Sequence, residues 1–292
     1  MNLNQSLRGT GVAIITPFRN NIVDFDALGK LIDFIIKGGV NYIVTMGTTG
    51  ETPVLSKEEK KEIINFTYDH IAGRVPVVVG IGGNDTASLL EDLKYFPLDR
   101  AVAVLSASPY YNKPSQEGIY QHYKAIAEAS PLPIILYNVP GRTGKNMEAA
   151  TTLRLAELPN ISGIKEASGD MLQCIEILKH RPENFMVVSG DDALALPQLA
   201  CGMDGVISVA ANCFPKEFSS LVNYGLQGDF KSAVKENNGL TDAYHLMFAE
   251  NNPAGAKAFL FEMGLIANEV RLPVVPLSEG LHQKVRDFLN KK

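Results

Sequence analysis

Eight short apolar runs rich in β-branched residues recur along the chain, and each is followed by a segment long enough for a helix. Parallel strands that are covered by helices have this composition, whereas half-solvated antiparallel strands alternate apolar and polar residues. Eight strand–helix repeats favour an α/β fold, a (β/α)8 TIM barrel, over an open doubly wound sheet, which stays the alternative. The predicted strands are Gly11–Ile15, Tyr42–Thr45, Val75–Val79, Ala101–Leu105, Pro133–Tyr137, Ile161–Lys165, Met186–Ser189 and Gly205–Val209.

Helix signals fill the intervening segments. Ser56 followed by Glu59 is a capping-box pattern, and it predicts a helix that begins there. After Asp26, one apolar helical face is formed by Leu28, Leu31, Ile32, Ile35 and Ile36. From about Pro215 onward no strand is predicted, and helices are expected with breaks at Gly225, Gly228, Asn251–Pro253 and Arg271–Pro276. We therefore expect a barrel catalytic domain over residues 1–227 and a C-terminal helical region over residues 228–292.

The composition excludes several classes of protein. A length of 292 residues suits a single barrel, since this fold commonly uses about 250. A net charge of −5 without a Lys/Arg-rich block argues against nucleic-acid or anionic-membrane partners. No apolar run approaches the roughly 20 residues of a membrane span, and Met1–Arg8 lacks an apolar signal core. We expect a cytoplasmic protein.

The cysteines and histidines predict neither a disulfide nor a metal site. The three cysteines are widely spaced, and we expect them to be small buried residues in a reducing compartment: Cys174, Cys201 and Cys213. The five histidines lie on helix-like segments without ligand spacing, so no metal is expected. Gly80–Gly83 follows a strand, but Asp85 stands where a dinucleotide-binding turn needs its third glycine. Asp191 and Asp192 are adjacent, so we expect them to point apart, with an N-cap role.

Lys165 is the most informative single residue, because it ends an apolar strand, where a lysine is costly unless it is paired or used. One interpretation is a structural ion pair with Glu166 or Glu51 at the barrel mouth. The other is a catalytic amine. An ordinary lysine, with a pKa of about 10.4, is protonated at neutral pH, and burial can lower that pKa by several units. A neutral amine can attack a ketone to form an imine.

Other polar residues follow neighbouring strands, at the end of the barrel where TIM-barrel chemistry occurs. Tyr137 could move protons, or its ring could pack at the rim and its hydroxyl bond a carbonyl. Thr48 and Thr49, between glycines, could bind a carboxylate, although such loops are often plain turns. Arg142 could hold a carboxylate by two parallel hydrogen bonds, or it could be a solvated surface residue.

Seven ordered motifs extend this pattern between residues 11 and 212, and the resemblance that they carry runs from about Gly9 to Leu289. They are GVAIITPF (11–18), GTTGE (47–51), SPYYNKPSQEG (108–118), YNVPGRTG (137–144), GIKEASGD (163–170), SGDD (189–192) and GVISVAAN (205–212). With these motifs the chain resembles the dihydrodipicolinate synthase family, within a wider group that includes N-acetylneuraminate lyase. The resemblance implies condensation of pyruvate with aspartate semialdehyde in lysine and diaminopimelate biosynthesis. The enzyme would be a lyase that uses no cofactor and forms a covalent imine on Lys165.

The resemblance also implies roles for individual residues. Lys165 would form the Schiff base with pyruvate, and Arg142 would hold the carboxylate of aspartate semialdehyde. A proton relay would consist of Tyr137, Thr48 and Tyr111, the last from a neighbouring subunit of a homotetramer or homodimer. Thr48 and Thr49 would bind the pyruvate carboxylate. The backbone of the pocket near the lysine would come from Gly190 and Ile207.

Two alternatives keep the scaffold but change the function. A sugar-acid lyase shares the lysine and tyrosine, but it lacks Arg142 and usually has serine at the position of Thr49. A barrel that binds a keto acid without turnover would have no need of an imine-forming lysine. The presence of an arginine at position 142 and of a threonine at position 49 favours the synthase.

The effector cleft of lysine-inhibited relatives corresponds here to Thr52, Pro53, Lys57, Lys60, Asn84, Ser88 and Tyr110. Asn84 and Tyr110 keep the family pattern. Lys57 and Lys60 replace histidines, and Ser88 replaces a glutamate that would meet the effector's ammonium group. Two added cations and a lost carboxylate weaken the binding of a cationic effector. We therefore predict weak or absent inhibition by lysine.

Overall fold

Eight parallel strands close into a barrel in the computed structural model, which describes residues 3–291. The strands are β1 Gly9–Ala13, β2 Tyr42–Thr45, β3 Val77–Gly80, β4 Ala103–Ala107, β5 Ile134–Asn138, β6 Ile161–Glu166, β7 Met186–Ser189 and β8 Gly205–Ser208. Each strand pairs with the next in sequence, and β1 pairs with β8 from Gly9↔Gly205 to Val12↔Ser208. The predicted barrel is confirmed, and the open sheet is wrong because β1 and β8 close it.

Thirteen α-helices accompany the strands in the part of the chain that the structure describes. They are α1 Leu3–Ser6, α2 Phe25–Lys37, α3 Lys57–Ile71, α4 Thr86–Tyr95, α5 Gln116–Ala129, α6 Pro140–Thr143, α7 Ala149–Ala156, α8 Met171–His180, α9 Ala195–Ala200, α10 Pro215–Gln227, α11 Phe230–Phe248, α12 Ala254–Glu262 and α13 Glu279–Lys291. The predicted capping box of Ser56 and Glu59 is present at α3. The predicted apolar face after Asp26 lies on α2, which is capped by Asp24, whose carboxylate accepts from the Ala27 N–H.

Strand bounds match the sequence pattern in the middle of each run and differ at the ends. β2 and β7 agree at both ends, whereas β1 begins two residues earlier than predicted because Gly9 and Thr10 pair with β8. β5 and β6 continue through Asn138 and Glu166, which pair with each other. Glycine and these polar residues have low strand propensity, so the local pattern missed them.

The alternation of side chains along each strand divides the core into two parts. Residues that point into the barrel form an inner cluster, which includes Leu105, Ile135 and Tyr137. The intervening residues, such as Ile134, Leu136 and Ile164, pack outward against the helices. Since the period of a strand is two residues, Lys165 lies on the same inner face as Gly163, and Ile164 points outward.

The C-terminal part is helical, as predicted. Helix α10 ends at Gln227, where Gly228 adopts a φ of 78° in the left-handed region. The expected breaks around residues 251–253 and 271–276 separate α11, α12 and α13. The break predicted at Gly225 is wrong, because α10 continues through it. A Cβ on Gly225 would lie 3.0 Å from Leu199 Cδ1, so this glycine allows α9 and α10 to pack closely. The domain boundary between residues 227 and 228 stays a prediction.

Two further expectations concern exposure. Cys174 and Cys213 are buried as expected, but Cys201 is exposed, since it caps the surface end of α9. Among residues 3–291, none of the helices has the length and hydropathy needed to cross a bilayer.

Candidate active site

A cavity of about 1000 Å³ opens at the carboxyl ends of the strands. Every strand contributes a lining residue at or just beyond that end: Ala13, Met46, Gly80, Ala107, Tyr137, Lys165, Gly190 and Val209. Thr48, Thr49 and Arg142 line the same space, so the structure brings together most of the residues that the sequence singled out. Helix α11 adds a wall through Tyr244, His245 and Phe248.

Lys165 and Tyr137 are neighbours across β5 and β6. They occupy paired register positions, and their side chains are 5% and 7% exposed. Lys165 Nζ lies 4.4 Å from the centroid of the Tyr137 ring. No carboxylate of residues 3–291 forms an ion pair with Lys165, so the structural interpretation of this lysine is wrong. Its amine faces the cavity without a counter-charge.

Both carboxylates that could have paired with Lys165, Glu51 and Glu166, are engaged elsewhere. Glu51 pairs with Lys257. Glu166 is fully buried and points to the outer side of β6, where it accepts hydrogen bonds from Asn138 Nδ2 at 3.0 Å, Gln173 Nε2 at 3.0 Å and the Ser168 N–H at 2.7 Å. This network joins the ends of β5 and β6 and so fixes Tyr137 relative to Lys165. The sequence did not single out Asn138 or Gln173 for this role, because neither lies beside Glu166 in sequence.

The threonine loop is residues 47–51, directly after β2. Thr48–Gly50 forms a short 3-10 helix, and Thr16 Oγ1 donates to the Gly50 carbonyl at 2.8 Å. Thr49 is 2% exposed, and its hydroxyl oxygen accepts a hydrogen bond from Asn252 Nδ2 at 3.2 Å. Sequence reasoning missed Asn252, which lies 203 residues away.

Glycines shape the cavity wall where backbone and side chains meet closely. A Cβ on Gly190 would lie 2.8 Å from Lys165 Cε and 2.7 Å from Ala167 Cβ. Gly190 therefore lines the pocket beside the lysine, where the resemblance puts it. A Cβ on Gly80 would lie 2.1 Å from the Met46 carbonyl oxygen, which explains this glycine by strand packing and without a nucleotide.

Three other predicted site residues have distinct positions. Arg142 is exposed on α6 and lines the cavity. Ile207 is 1% exposed and lies in the inner cluster of the barrel rather than in the cavity wall. Tyr111 is 87% exposed, with a φ of 71° in the left-handed region, and it does not line the cavity of its own chain.

Asp191 and Asp192 point apart, as expected. Asp191 Oδ1 accepts from the N–H groups of Ala193 and Leu194 and so holds the turn before α9, whose N-cap residue is Leu194 itself. Asp192 is buried, and its Oδ2 accepts from the Val209 and Ala210 N–H groups at 3.1 and 2.7 Å. Burial raises the pKa of Asp192 to about 6. Asp192 thus joins the loops that follow β7 and β8.

The predicted effector residues divide into two groups. Thr52, Pro53, Lys60 and Tyr110 line one arm of the cavity. Lys57 instead pairs with Asp92 at 2.8 Å, and Ser88 Oγ donates to Asp85 at 2.5 Å. The Asn84 carbonyl accepts from Asn112 Nδ2. Asp92 also lines the cavity, so one of the two added cations is neutralised by a carboxylate that the sequence argument did not include.

No group of three His, Cys, Asp or Glu side chains within residues 3–291 is arranged to hold a metal ion. The predicted site residues that line the cavity bring an amine, a phenol, two hydroxyls and a guanidinium. An amine beside a proton-transfer group can form an imine, and the hydroxyls and guanidinium can bind carboxylates.

Known proteins match this chain over nearly its full length. The Dihydrodipicolinate synthetase family profile matches residues 6–292. The 4-hydroxy-tetrahydrodipicolinate synthase of Parabacteroides distasonis is 51% identical over 288 residues, which are 98% of this chain and 97% of that protein.

Solved structures agree in fold. The dihydrodipicolinate synthase of Aquifex aeolicus has a TM-score of 0.94 at 40% identity, covering 97% of each chain. A monomeric dihydrodipicolinate synthase variant has a TM-score of 0.96 at 39% identity, covering 99% of this chain and 98% of that one. The predicted resemblance is confirmed: the chain belongs to the dihydrodipicolinate synthetase family.

Proposed function

We propose that this protein is a 4-hydroxy-tetrahydrodipicolinate synthase, a lyase that condenses pyruvate with L-aspartate 4-semialdehyde through a Schiff base on Lys165. The observation that carries the proposal is a lysine amine without a counter-charge, beside Tyr137 in a cavity that also contains Thr48, Thr49 and Arg142. The family relationship supports the same reaction. The product would feed diaminopimelate and lysine biosynthesis.

The reaction begins with attack of the Lys165 amine on the pyruvate ketone. The carbinolamine loses water to give an imine, and loss of a methyl proton converts the imine to an enamine. Tyr137, Thr48 and Tyr111 relay these protons, while the Thr48 and Thr49 hydroxyls hold the pyruvate carboxylate. The enamine carbon attacks the aldehyde of the second substrate. That substrate's amino group then displaces Lys165 from the imine carbon, which closes the ring and frees the lysine. One water is released overall, and no further cofactor is needed.

Arg142 supports the choice of a second substrate with a carboxylate. The guanidinium presents a planar pair of donors that matches a carboxylate, and it lines the open side of the cavity. A sugar acid would bring several hydroxyl groups instead. Among the charged residues that line the cavity, Arg142 is the one that directly follows β5, in the short helix α6 that begins at Pro140.

Assembly and location follow the same reasoning. Tyr111 does not reach the cavity of its own chain, so we propose that a neighbouring subunit supplies it, within a homotetramer built from tight dimers or a homodimer. No disulfide joins the three cysteines, all of which lie within residues 3–291, which suits a reducing compartment, and we propose a cytoplasmic location.

The test of the function has two steps. Borohydride is added to the purified protein with pyruvate, and peptide mass spectrometry should find reduced pyruvate on Lys165 and none in Lys165→Met. Absence of the adduct in the wild type would contradict the lyase and favour a barrel that only binds a keto acid. A coupled assay then compares aspartate semialdehyde with sugar-derived aldehydes. Turnover with a sugar aldehyde alone would favour the sugar-acid lyase.

Inhibition by lysine should be weak or absent, since Ser88 supplies no carboxylate for the effector's ammonium and Lys60 adds a positive charge to the cavity arm. Because Asp92 neutralises Lys57, Lys60 is the added positive charge that repels the cationic effector. Steady-state rates measured against L-lysine check this. Full inhibition at sub-millimolar lysine would overturn the prediction, and Ser88→Glu should increase sensitivity to lysine.

A further inference from the structure

We propose that the C-terminal helical region completes the carboxylate pocket. Asn252 orients the Thr49 hydroxyl, and the buried Lys257–Glu51 ion pair holds the loop on which Thr48 and Thr49 stand. Asn252 and Lys257 are thus positioning residues for pyruvate. The inference rests on the proposed function, which assigns this loop to the pyruvate carboxylate.

The direction of the Asn252 hydrogen bond determines what the Thr49 hydroxyl can do. Asn252 Nδ2 donates to Thr49 Oγ1 at 3.2 Å, and both residues are buried. A hydroxyl has one proton to donate and two lone pairs that accept. Because Asn252 occupies a lone pair, the Thr49 proton stays free for a carboxylate oxygen in the cavity. Both side chains line that cavity.

The loop itself has an unusual backbone that needs support. Glu51 ends it with a φ of 53°, in the left-handed region that a residue with a Cβ rarely adopts. The Glu51 side chain is 4% exposed, and its Oε2 accepts from the Arg271 N–H at 3.1 Å. The carboxylate is therefore anchored to the C-terminal region on one side while its backbone shapes the threonine loop on the other.

Lys257 supplies the matching charge from α12. Its side chain is completely buried, and its Nζ lies 2.5 Å from Glu51 Oε1. The same ammonium donates to the Glu269 carbonyl at 2.8 Å and lies 4.2 Å from the centroid of the Phe18 ring. The Arg271 guanidinium lies 4.4 Å from the same ring centroid. Buried charges are costly unless they are paired and hydrogen-bonded, and loss of one partner leaves the other uncompensated.

The pKa of Lys257 determines the pH range in which it is charged and pairs with Glu51. Burial lowers the pKa of Lys257 to about 8, against the opposite effect of Glu51. The other charged groups that act on it are Arg271, which lowers the pKa, and Glu269, which raises it. Below about pH 8 the lysine keeps its charge and the ion pair is complete, so the test is made near neutral pH.

A purely structural role would affect all kinetic constants together, whereas a positioning role affects pyruvate selectively. The test variants are Asn252→Ala, Asn252→Asp and Lys257→Met in the full-length protein. Matched controls are Asn238→Ala and Lys231→Met, since both residues are exposed on α11. Measurements are kcat, the half-saturating concentrations of pyruvate and of aspartate semialdehyde, and the thermal midpoint.

Loss of the single hydrogen bond in Asn252→Ala should raise the half-saturating pyruvate concentration about three- to tenfold. The half-saturating concentration of aspartate semialdehyde should stay within about twofold, as should kcat. Asn252→Asp should have a larger effect than Asn252→Ala, because a carboxylate accepts the Thr49 proton and repels the substrate anion. Lys257→Met should raise the pyruvate value about tenfold or more, since it leaves Glu51 buried and unpaired. The controls should match the wild type.

Equal increases for both substrates, or an unchanged pyruvate value in folded Asn252→Ala, would overturn the inference. If Lys257→Met does not fold, the two Asn252 variants still decide it. Borohydride trapping of the wild type distinguishes failure of the proposed function from failure of the positioning role. If the wild type traps no pyruvate, the proposed function fails as well. If it does, and Asn252→Ala traps at the same pyruvate concentrations, only the positioning role fails.

Discussion

Gly190 shows how one missing side chain can determine where a catalytic amine lies. Its N–H donates to the Glu166 carbonyl at 2.8 Å, which fixes the backbone of the loop after β7 against the end of β6. The space beside it is filled by the methylene groups of Lys165 and by Ala167. Protein interiors are close-packed, so an added methyl group in this space must displace one of its neighbours.

Gly190→Ala should therefore displace the Lys165 side chain, because the new Cβ would lie 2.8 Å from Cε and 3.1 Å from Cγ. A displacement of about 1 Å at a reacting group can cost on the order of a hundredfold in rate, and we expect a loss of that size in kcat/KM for pyruvate. Borohydride trapping and steady-state kinetics measure it. Gly239→Ala is the control, since a Cβ there meets nothing within 4 Å. Wild-type kinetics in Gly190→Ala would contradict the argument.

At the scale of elements, the barrel ends are joined by buried polar groups that reach from one loop to the next. Glu166 joins β5 to β6 through Asn138, and Asp192 joins the loops after β7 and β8 through two backbone N–H groups. A buried carboxylate is tolerated when several donors surround it. Such groups make the rim rigid without occupying the cavity.

Asp192 also gives a stability signature. Its raised pKa, about 6, means that the folded state holds the proton more tightly than the unfolded state between about pH 4 and pH 6. The free energy of unfolding should thus fall as the pH rises through that window, by an amount on the order of 3 kcal/mol, and level off above it. In Asp192→Asn this component should vanish, which urea unfolding across the window measures against the wild type.

The comparison for Asp192 is Asp229→Asn, at the N-cap of α11. Hydrogen bonds from the Ser232 hydroxyl and N–H lower the pKa of Asp229. Its contribution has the opposite sign: it is present above the unfolded pKa and is lost as the pH falls. If Asp192→Asn keeps the wild-type slope, the raised pKa is not the source of the signature.

At the scale of the whole molecule, the chain builds most of the site and leaves one predicted proton-relay group outside it. Tyr111 is exposed beside the exposed Tyr110, whereas Lys165, Thr48 and Tyr137 share one cavity. Two-fold oligomers place the same surface of each copy against its partner, so each copy can complete the other's site.

Complementation tests this arrangement. Lys165→Met and Tyr111→Phe chains are co-expressed with different tags, and the hybrids are purified. Each hybrid dimer has one site of two with both Lys165 and Tyr111, so the purified hybrid should regain about half of wild-type activity, whereas each variant alone is nearly inactive. Failure to exceed the activity of the separate variants would show that Tyr111 acts within its own chain or has no catalytic part.

How much the sequence predicts depends on the distance over which its signals act. The count of barrel strands, the capping box at Ser56 and the placement of polar residues at strand ends are local properties of composition and period, and the structure confirms them. Local signals predict a helix break at Gly225 and burial of Cys201, and both predictions are wrong. A glycine inside a helix and a cysteine at its end have local signals that depend on what packs against them, here Leu199 and solvent.

The sequence by itself favoured the barrel and determined the family and the identity of the candidate amine, because periodicity and ordered motifs are properties of the chain. Only the tertiary structure decided that Lys165 has no carboxylate partner, that Glu166 points outward, and that Asn252 and Lys257 support the threonine loop. The physical reason is that these contacts join residues far apart in sequence. Their energies depend on burial and on the exact atoms that meet when the barrel closes, and no local pattern encodes either.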